Sequence, residues 1–414
     1  MGEEQRWRRV VRAAGLSDEA GGVRPTIFAE MTALARETGA LNLGQGFPDD
    51  DGPAAVLHAA RAAIADGHNQ YPPGTGIAPL REAVAAHQAR HYGLRLDPQT
   101  QVAVTNGATE AIAAAVLALA GPGDEVLTLE PYYDSYAAVI AMSGARHVTV
   151  PLRAGPQGFT IDARALREAF SDRTAVVLLN TPHNPTGTVL DRTALTLLAD
   201  LVRAHDAVVV SDEVYEHLTF DDAEHIPIAT LPGMFERTLT ISSAGKTFSV
   251  TGWKVGWASG PQDLVTAVVS VKQFLTYTGG APFQPAVATA LDLETTDDPD
   301  RDWIARLRAD LAERRDALLD GLTRAGFAVV RPQGSYFVIA DAGTWLDRHG
   351  LPDGAALCRA LPDLAGVAAV PVSAFTVPGS SADGDLAGAV RFTFTKSWPV
   401  LSAAIERLVA ARAP

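Results

Sequence analysis

Two lysines keep unusual company between Ser242 and Trp257, in the run S-S-A-G-K-T-F-S-V-T-G-W-K-V-G-W. Lys246 follows a glycine among small hydroxyl residues, and Lys254 stands eight residues further on. Apart from these two, no charged residue lies between Arg237 and Asp263. Two loop lysines beside a packed aromatic turn would read the same way locally. Four other short segments add chemistry. Asn106-Gly107-Ala108-Thr109 offers small residues and open backbone N–H groups, suited to an anion at the positive end of a helix or simply to a turn and cap. Pro131-Tyr132-Tyr133-Asp134 carries aromatic rings, and Thr181 to Gly187 holds Asn184 in a loop punctuated by two prolines and a glycine. Asp212-Glu213-Val214-Tyr215 ends an apolar run in a carboxylate, which needs a charged or hydrogen-bonded partner once buried.

Each of these segments directly follows a short β-rich run: VAVT, EVLTLE, AVVLLN, AVVVS and TLTISS. Ala/Leu-rich stretches of helical period lie between them, so the pattern predicts an α/β fold with a mostly parallel sheet covered by helices. Ligands of such sheets collect at the carboxyl ends of the strands. After about residue 285 the texture changes to a charged helix over roughly 302–325, then AVVRP, SYFVIAD and AVRFTFT, which predicts a smaller α+β domain. In AVRFTFT, Val390, Phe392 and Phe394 alternate onto one strand face and Arg391 onto the other. A guanidinium there would clamp a carboxylate with two prongs, unless it is an ordinary surface-strand arginine. The expected division is an N-terminal arm packed on the small domain (1–45), a large domain (46–285) and a small domain (286–414). Residues 378–388 read as an exposed loop.

Composition narrows the function. A 47% apolar, 20% charged chain of 414 residues is globular, and the formal charge of -14 argues against nucleic acid or an anionic membrane as partner. The most apolar stretch, Ala111 to Ala120, is too short to span a bilayer, and a single cysteine, Cys358, suits a cytoplasmic location.

Five strand ends thus bring an anion cradle, an aromatic ring, an amide, a carboxylate with a tyrosine, and a lysine to one sheet edge. Packing alone would place apolar side chains there. A lysine amine forms a Schiff base with an aldehyde, and a carboxylate can keep a ring nitrogen protonated. An amide and a phenol can bond a ring oxygen, an aromatic can stack, and a cradle with a cation can take phosphate. One ligand wants that whole set, pyridoxal 5′-phosphate, with Lys246 as its aldehyde anchor and Lys254 as its phosphate cation.

Over nearly its whole length the chain resembles the class I/II aminotransferases of fold type I. It is most similar to the kynurenine aminotransferase / glutamine transaminase K group and to bacterial N-succinyldiaminopimelate aminotransferases. The segments that carry the likeness are LNLGQGFPD, NQYPPGTG, NGATEAI, EPYYDSY, NTPHNPTG, SDEVYEHL, SSAGKTFSVTGWKVGW, GSYFV and VRFTF. The resemblance implies a seven-stranded, mostly parallel sheet in the large domain and amino transfer from an amino acid to a 2-oxo acid by a ping-pong mechanism. It makes Lys246 the Schiff-base lysine and general acid/base, and pairs Asp212 with the pyridine nitrogen. Asn184 and Tyr215 would hold the ring oxygen and Tyr133 would stack on the ring. Gly107, Ala108, Ser243 and Lys254 would bind phosphate, with Thr109 in the same turn. Tyr71 would reach the phosphate of a neighbouring subunit, which implies a homodimer. Arg391, Asn184 and the backbone at Gly44 would take the substrate α-carboxylate.

The sequence departs from the kynurenine enzymes around the substrate side chain. Thr26 and Ile27 stand where those enzymes carry a tryptophan, Thr109 replaces an aromatic, and Tyr277-Thr278 replaces a Phe-His pair. Ile27 and Tyr277 are therefore expected in a more polar pocket, one favouring glutamine, methionine or a succinylated diamino acid. A cysteine-conjugate β-lyase or another biosynthetic enzyme using the same cofactor is the alternative. A non-enzymatic regulator would need a DNA-binding module, and the residues before LNLGQG are too few for one.

Overall fold

The computed structural model describes residues 5–155 and 158–412, except 19 and 21. Strand β1 (Leu41–Asn42) precedes eight strands: β2 (Val102–Asn106), β3 (Glu125–Glu130), β4 (Arg146–Gly155), β5 (Gly158–Ile161), β6 (Thr174–Asn180), β7 (Val208–Asp212), β8 (Thr238–Ser243) and β9 (Val255–Ser259). Those eight form one sheet in the order β2-β9-β8-β7-β6-β3-β4-β5. Strands β4, β3, β6, β7 and β8 pair in parallel. β9 runs antiparallel to both its neighbours, and β5 folds back on β4. Seven strands run from β2 to β4, and β5 makes an eighth at the far edge. Strand β9 was hidden in the sequence because its VGWAS lies within the glycine- and tryptophan-rich stretch that reads as a turn.

The parallel strands are apolar on both faces because both faces are covered. Val126, Val176, Leu178, Val210 and Ile241 pack against the helices Gly107–Leu119, Ser135–Ser143 and Gln262–Lys272. From the opposite face Leu127, Leu129, Val177, Leu179 and Val209 meet Leu195, Leu198 and Val202 of the helix Arg192–Ala204. Each fully buried Val or Leu contributes roughly 1.5–3 kcal/mol relative to exposure. A core of this size holds polar strand ends that would not pack favourably by themselves.

A second sheet follows, built from β10 (Ala328–Val329), β11 (Phe337–Asp341), β13 (Val370–Pro371) and β14 (Ala389–Thr393), with β12 (Val367–Ala368) pairing in parallel with β1. Its order is β10-β11-β14-β13, antiparallel throughout. Val390, Phe392 and Phe394 enter a core shared with Leu318 and Leu322 of the helix Trp303–Arg324 and Leu401 and Leu408 of the helix Trp398–Ala411. The N-terminal residues serve both sheets. The helix Ile27–Thr38, capped by Thr26, lies on the helix Gly354–Ala365, whereas the helix Arg6–Ala13 packs on Ser135–Ser143. Residues 378–388, read as a loop, contain the short helix Ser381–Asp385. Ser380 caps it, Ala382 is buried, and Ser380 Oγ donates to Glu130 at 2.7 Å.

One close approach ties β9 to the turn after β2. A Cβ at Gly256 would come within 2.7 Å of the Gly107 carbonyl carbon and 2.8 Å of the Ala108 nitrogen. Gly256→Ala is expected to lower stability by about 1–3 kcal/mol through overpacking, read as a drop in urea midpoint. An unchanged midpoint would show that this turn shifts freely.

Candidate active site

A cavity of about 320 Å³ opens at the carboxyl ends of the central strands, where they face β11 and β14 of the second sheet. Asn180, Asp212 and Ser243, the last residues of β6, β7 and β8, all line it. One end is built to take an anion. Gly107, Ala108 and Thr109 open the helix Gly107–Leu119, which has no side-chain cap. Gly107 adopts a left-handed φ of 72°, which favours glycine. The Glu110 carboxylate accepts from the Asn106 N–H at 2.6 Å and from Thr276, so the N–H groups of the first turn remain for a ligand. Lys254 lies against this turn: a Cβ at Gly107 would sit 3.1 Å from its Nζ. Burial, and then the nearby Lys246, lower the Lys254 pKa. Among the described residues Lys254 has no ion-pair partner.

The other end is a carboxylate. Asp212 accepts from the Tyr136 hydroxyl at 2.6 Å and from the Val214 N–H at 3.3 Å. Burial pushes its pKa up to about 6, against the opposing pull of these donors and of Lys246. Asn180 fixes the local backbone, donating to Asp212 O at 2.9 Å and accepting from the Asn184 N–H at 2.8 Å. Between the two ends stands Lys246, its Nζ 5.9 Å from the Tyr215 ring and 5.6 Å from the Tyr336 ring. Tyr336 donates its hydroxyl proton to Gly46 O at 2.6 Å.

Arg391 forms the third charged feature. Its guanidinium is buried, donating to Asn184 Oδ1 at 3.0 Å and to Gly44 O at 2.8 Å. Three aromatic rings surround it, with the guanidinium carbon 4.0 Å from Phe337, 4.7 Å from Phe375 and 5.3 Å from Phe28. Its buried Nε has no partner, and burial lowers its pKa to about 10. Among the described residues no carboxylate pairs with it. A buried cation held by two neutral oxygens and three rings is able to receive an anion from outside.

The structure gathers most of the residues singled out from sequence around this cavity. Gly107, Ala108, Thr109, Tyr133, Asn184 and Asp212 line it, as do Tyr215, Ser243, Lys246, Lys254 and Arg391. Gly44 reaches it through Arg391. Four others lie elsewhere. Thr26 and Ile27 line a separate cavity with Tyr132 and Arg359, and Phe28 faces the site instead. The helix begins at Ile27, so successive side chains diverge by about 100°, and a one-residue error moves the side chain off the site. Tyr277 turns outward at a φ of 62°, its carbonyl held by Lys272 Nζ at 2.6 Å, and its ring meets Tyr71 at 5.8 Å. Tyr71 itself is 83% exposed. Tyr136, Asn180, Tyr336 and Phe337 escaped the sequence reading. Tyr136 lies three residues after Tyr133, and Tyr336-Phe337 sit within GSYFV, but neither position ends an apolar strand.

This donor set fits pyridoxal 5′-phosphate. An uncapped helix start with an unpaired lysine suits phosphate, and a buried carboxylate with only neutral donors suits a protonated ring nitrogen. A class I and II aminotransferase family model matches residues 38–408. A protein of Mycobacterium tuberculosis, named a probable N-succinyldiaminopimelate aminotransferase, is 54% identical over 387 residues, covering 92% of this chain and 95% of that protein. The mouse kynurenine–oxoglutarate transaminase 3 is 38% identical, covering 93% of this chain and 88% of that protein. The solved structure of the N-succinyldiaminopimelate aminotransferase of M. tuberculosis superposes with a TM-score of 0.89 at 51% identity, covering 99% of this chain and 100% of that one. The chain belongs to the class I and II aminotransferases. It is a pyridoxal-phosphate-dependent enzyme of fold type I that moves an amino group from an amino acid to a 2-oxo acid.

The raised Asp212 pKa carries a stability consequence for the cofactor-free protein. A folded pKa near 6 lies above the unfolded value of about 3.9, so the protonated carboxyl is favoured by folding. That contribution is present below about pH 4 and is lost as pH rises through 6, leaving a cost on the order of 2–3 kcal/mol at pH 8. Cofactor-free Asp212→Asn is expected to melt above cofactor-free wild type at pH 8, with the difference shrinking toward pH 4. Equal melting temperatures at pH 8 would show that the carboxylate is already neutralised by its surroundings.

Proposed function

We propose that Lys246, Asp212 and Arg391 divide the aminotransferase reaction among them, and that the donor is a long-chain amino acid of the succinylated diamino type. The observation behind this division is the gathering in one cavity of a half-buried amine, a buried carboxylate and a buried guanidinium, none of the three with an ion-pair partner among the described residues. Pyridoxal 5′-phosphate, when bound, supplies the aldehyde that receives the amino group and the ring that accepts the electron pair released at the substrate Cα. Lys246 would hold that aldehyde between turnovers, yield to the substrate amine, and take the Cα proton on Nζ. Asp212, oriented by the Tyr136 hydroxyl, would keep the ring nitrogen protonated. Asn184 and Tyr215 would hold the ring oxygen, and Tyr133 would cover the ring face. The first-turn N–H groups of Gly107, Ala108 and Thr109, with Ser243 and Lys254, would hold the phosphate.

Arg391 would receive the substrate α-carboxylate, with Asn184 and Gly44 fixing the guanidinium plane. The ring-lined surroundings exclude water and strengthen that pairing. For the side chain, the support is the 54% identical relative and its printed substrate. Of the hydroxyl residues that replace aromatic ones, Thr109 lines the cavity, whereas Thr26 and Tyr277 lie outside it. The β-elimination alternative loses ground because the relatives above are named for amino transfer. The single, buried Cys358 supports a cytoplasmic setting. No helix of the described residues is long and apolar enough to cross a membrane.

A homodimer completes the proposal. Tyr71 and Phe274 are 83% and 88% exposed, and with Leu275 and Tyr277 they leave an apolar patch that a second copy would cover. Sedimentation is expected to give twice the chain mass at neutral pH, and Tyr71→Phe to loosen cofactor retention. A stable, fully active monomer would overturn this part.

The donor assignment is tested by kcat/KM for N-succinyldiaminopimelate, glutamine, methionine and kynurenine with a common oxo acid. The succinylated donor is expected to lead. Arg391→Lys is expected to lower kcat/KM for every α-amino acid by about tenfold or more, because a point charge replaces a two-pronged clamp. A clear lead for kynurenine would refute the donor. Undiminished turnover in Arg391→Lys would refute the clamp.

A further inference from the structure

Asp212 and Tyr215 face the cavity, but Glu213, Glu216 and His217 of the same turn enter a second buried polar cluster. Glu213 accepts from Ser211 Oγ at 2.7 Å and lies 2.8 Å from His225 Nε2, while Glu216 accepts from Ser242 Oγ at 2.5 Å. Beside them His217 meets two histidines of the helix Ala78–Tyr92. His87 and His91 are four residues apart and share one helix face. The Nε2 atoms of His87 and His217 are 2.7 Å apart, and the His91 ring lies 4.5 Å from His87 and 4.8 Å from His217. One ligand-capable nitrogen from each of the three rings lies within 4.8 Å of the other two.

We propose that His87, His91 and His217 form a binding site for a divalent transition-metal ion of the zinc class, held by three imidazole nitrogens with water completing the tetrahedron. Three such nitrogens at 2.0–2.1 Å from a tetrahedral ion stand about 3.4 Å apart. The His87–His217 pair must open slightly and His91 must draw in, movements that side-chain rotation can supply. Hydrogen bonding inside the protein does not satisfy the cluster. Two neutral rings can share only one proton between their Nε2 atoms, and the buried Nδ1 of His87 has no partner.

Glu294 adds the outer carboxylate that such sites use to orient a histidine, with its Oε2 2.8 Å from His91 Nε2. Arg90 lies 3.5 Å from the same carboxylate. His91 and Glu294 are each about a quarter exposed at their side chains, which gives an ion a way in from solvent. The bound ion would brace the turn that carries Asp212 and Tyr215 without entering the catalytic cavity.

The test uses untagged holoenzyme, stripped with a chelator and dialysed against zinc, with bound metal counted by mass spectrometry. One ion per chain is expected, together with a melting temperature that rises with the logarithm of zinc concentration. Cobalt in its place is expected to give the intense visible absorption of tetrahedral coordination. His91→Gln, a partly exposed change, is expected to weaken binding by about tenfold or more with the cofactor absorbance unchanged. His87→Gln serves as the second variant. Failure of the wild type to retain an ion, or retention that survives both substitutions, overturns the site; the histidines would then be a neutral hydrogen-bonded cluster.

Discussion

The cost of burying charge organises this protein. Asp212 and Arg391 are withdrawn from water without counter-ions of their own, and each is held only by neutral groups: a tyrosine hydroxyl and a backbone N–H for one, two oxygens and three rings for the other. Removing either charge from water would cost several kcal/mol if nothing repaid it. In the function proposed for this site, the cofactor ring and the substrate carboxylate would supply what is missing, so that desolvation becomes affinity and orientation when they arrive. The displaced pKa values, near 6 for the carboxyl and near 10 for the guanidinium, express that unfinished pairing.

Meeting this cost requires a frame that does not yield. The central strands are buried on both faces, and their ends cannot retreat toward solvent without exposing the valines and leucines behind them. The second sheet brings Arg391 to the same cavity on β14, with Phe337 of β11 beneath it. Neither sheet alone forms the site. The Gly44–Gly46 segment joins them, its carbonyls accepting from Arg391 and Tyr336.

The turn after β7 serves two environments at once. Asp212 and Tyr215 line the cavity at the strand ends, and Glu213, Glu216 and His217 belong to the buried histidine and glutamate cluster.

The sequence by itself determined which chemistry was on offer. Residues that end apolar strands must project at the sheet edge, so Asp212, Ser243 and the lysine after β8 could be placed by period and punctuation alone. Arg391 could be placed on its strand face by alternation. The tertiary structure decided the rest, for reasons of geometry. Strand β9 was invisible because glycine and tryptophan spacing signals a turn, yet pairing with β2 and β8 makes it a strand. Phe28 rather than Ile27 faces the cavity because a helix turns each side chain by about 100°, an angle that only its docking on the second sheet fixes. Tyr136 and Tyr336 carry no local signal, since a tyrosine becomes part of a site only when its hydroxyl meets a partner far along the chain. The three histidines converge for the same reason: His87 and His91 share a helix face by spacing, but only the fold brings His217 to them across 130 residues.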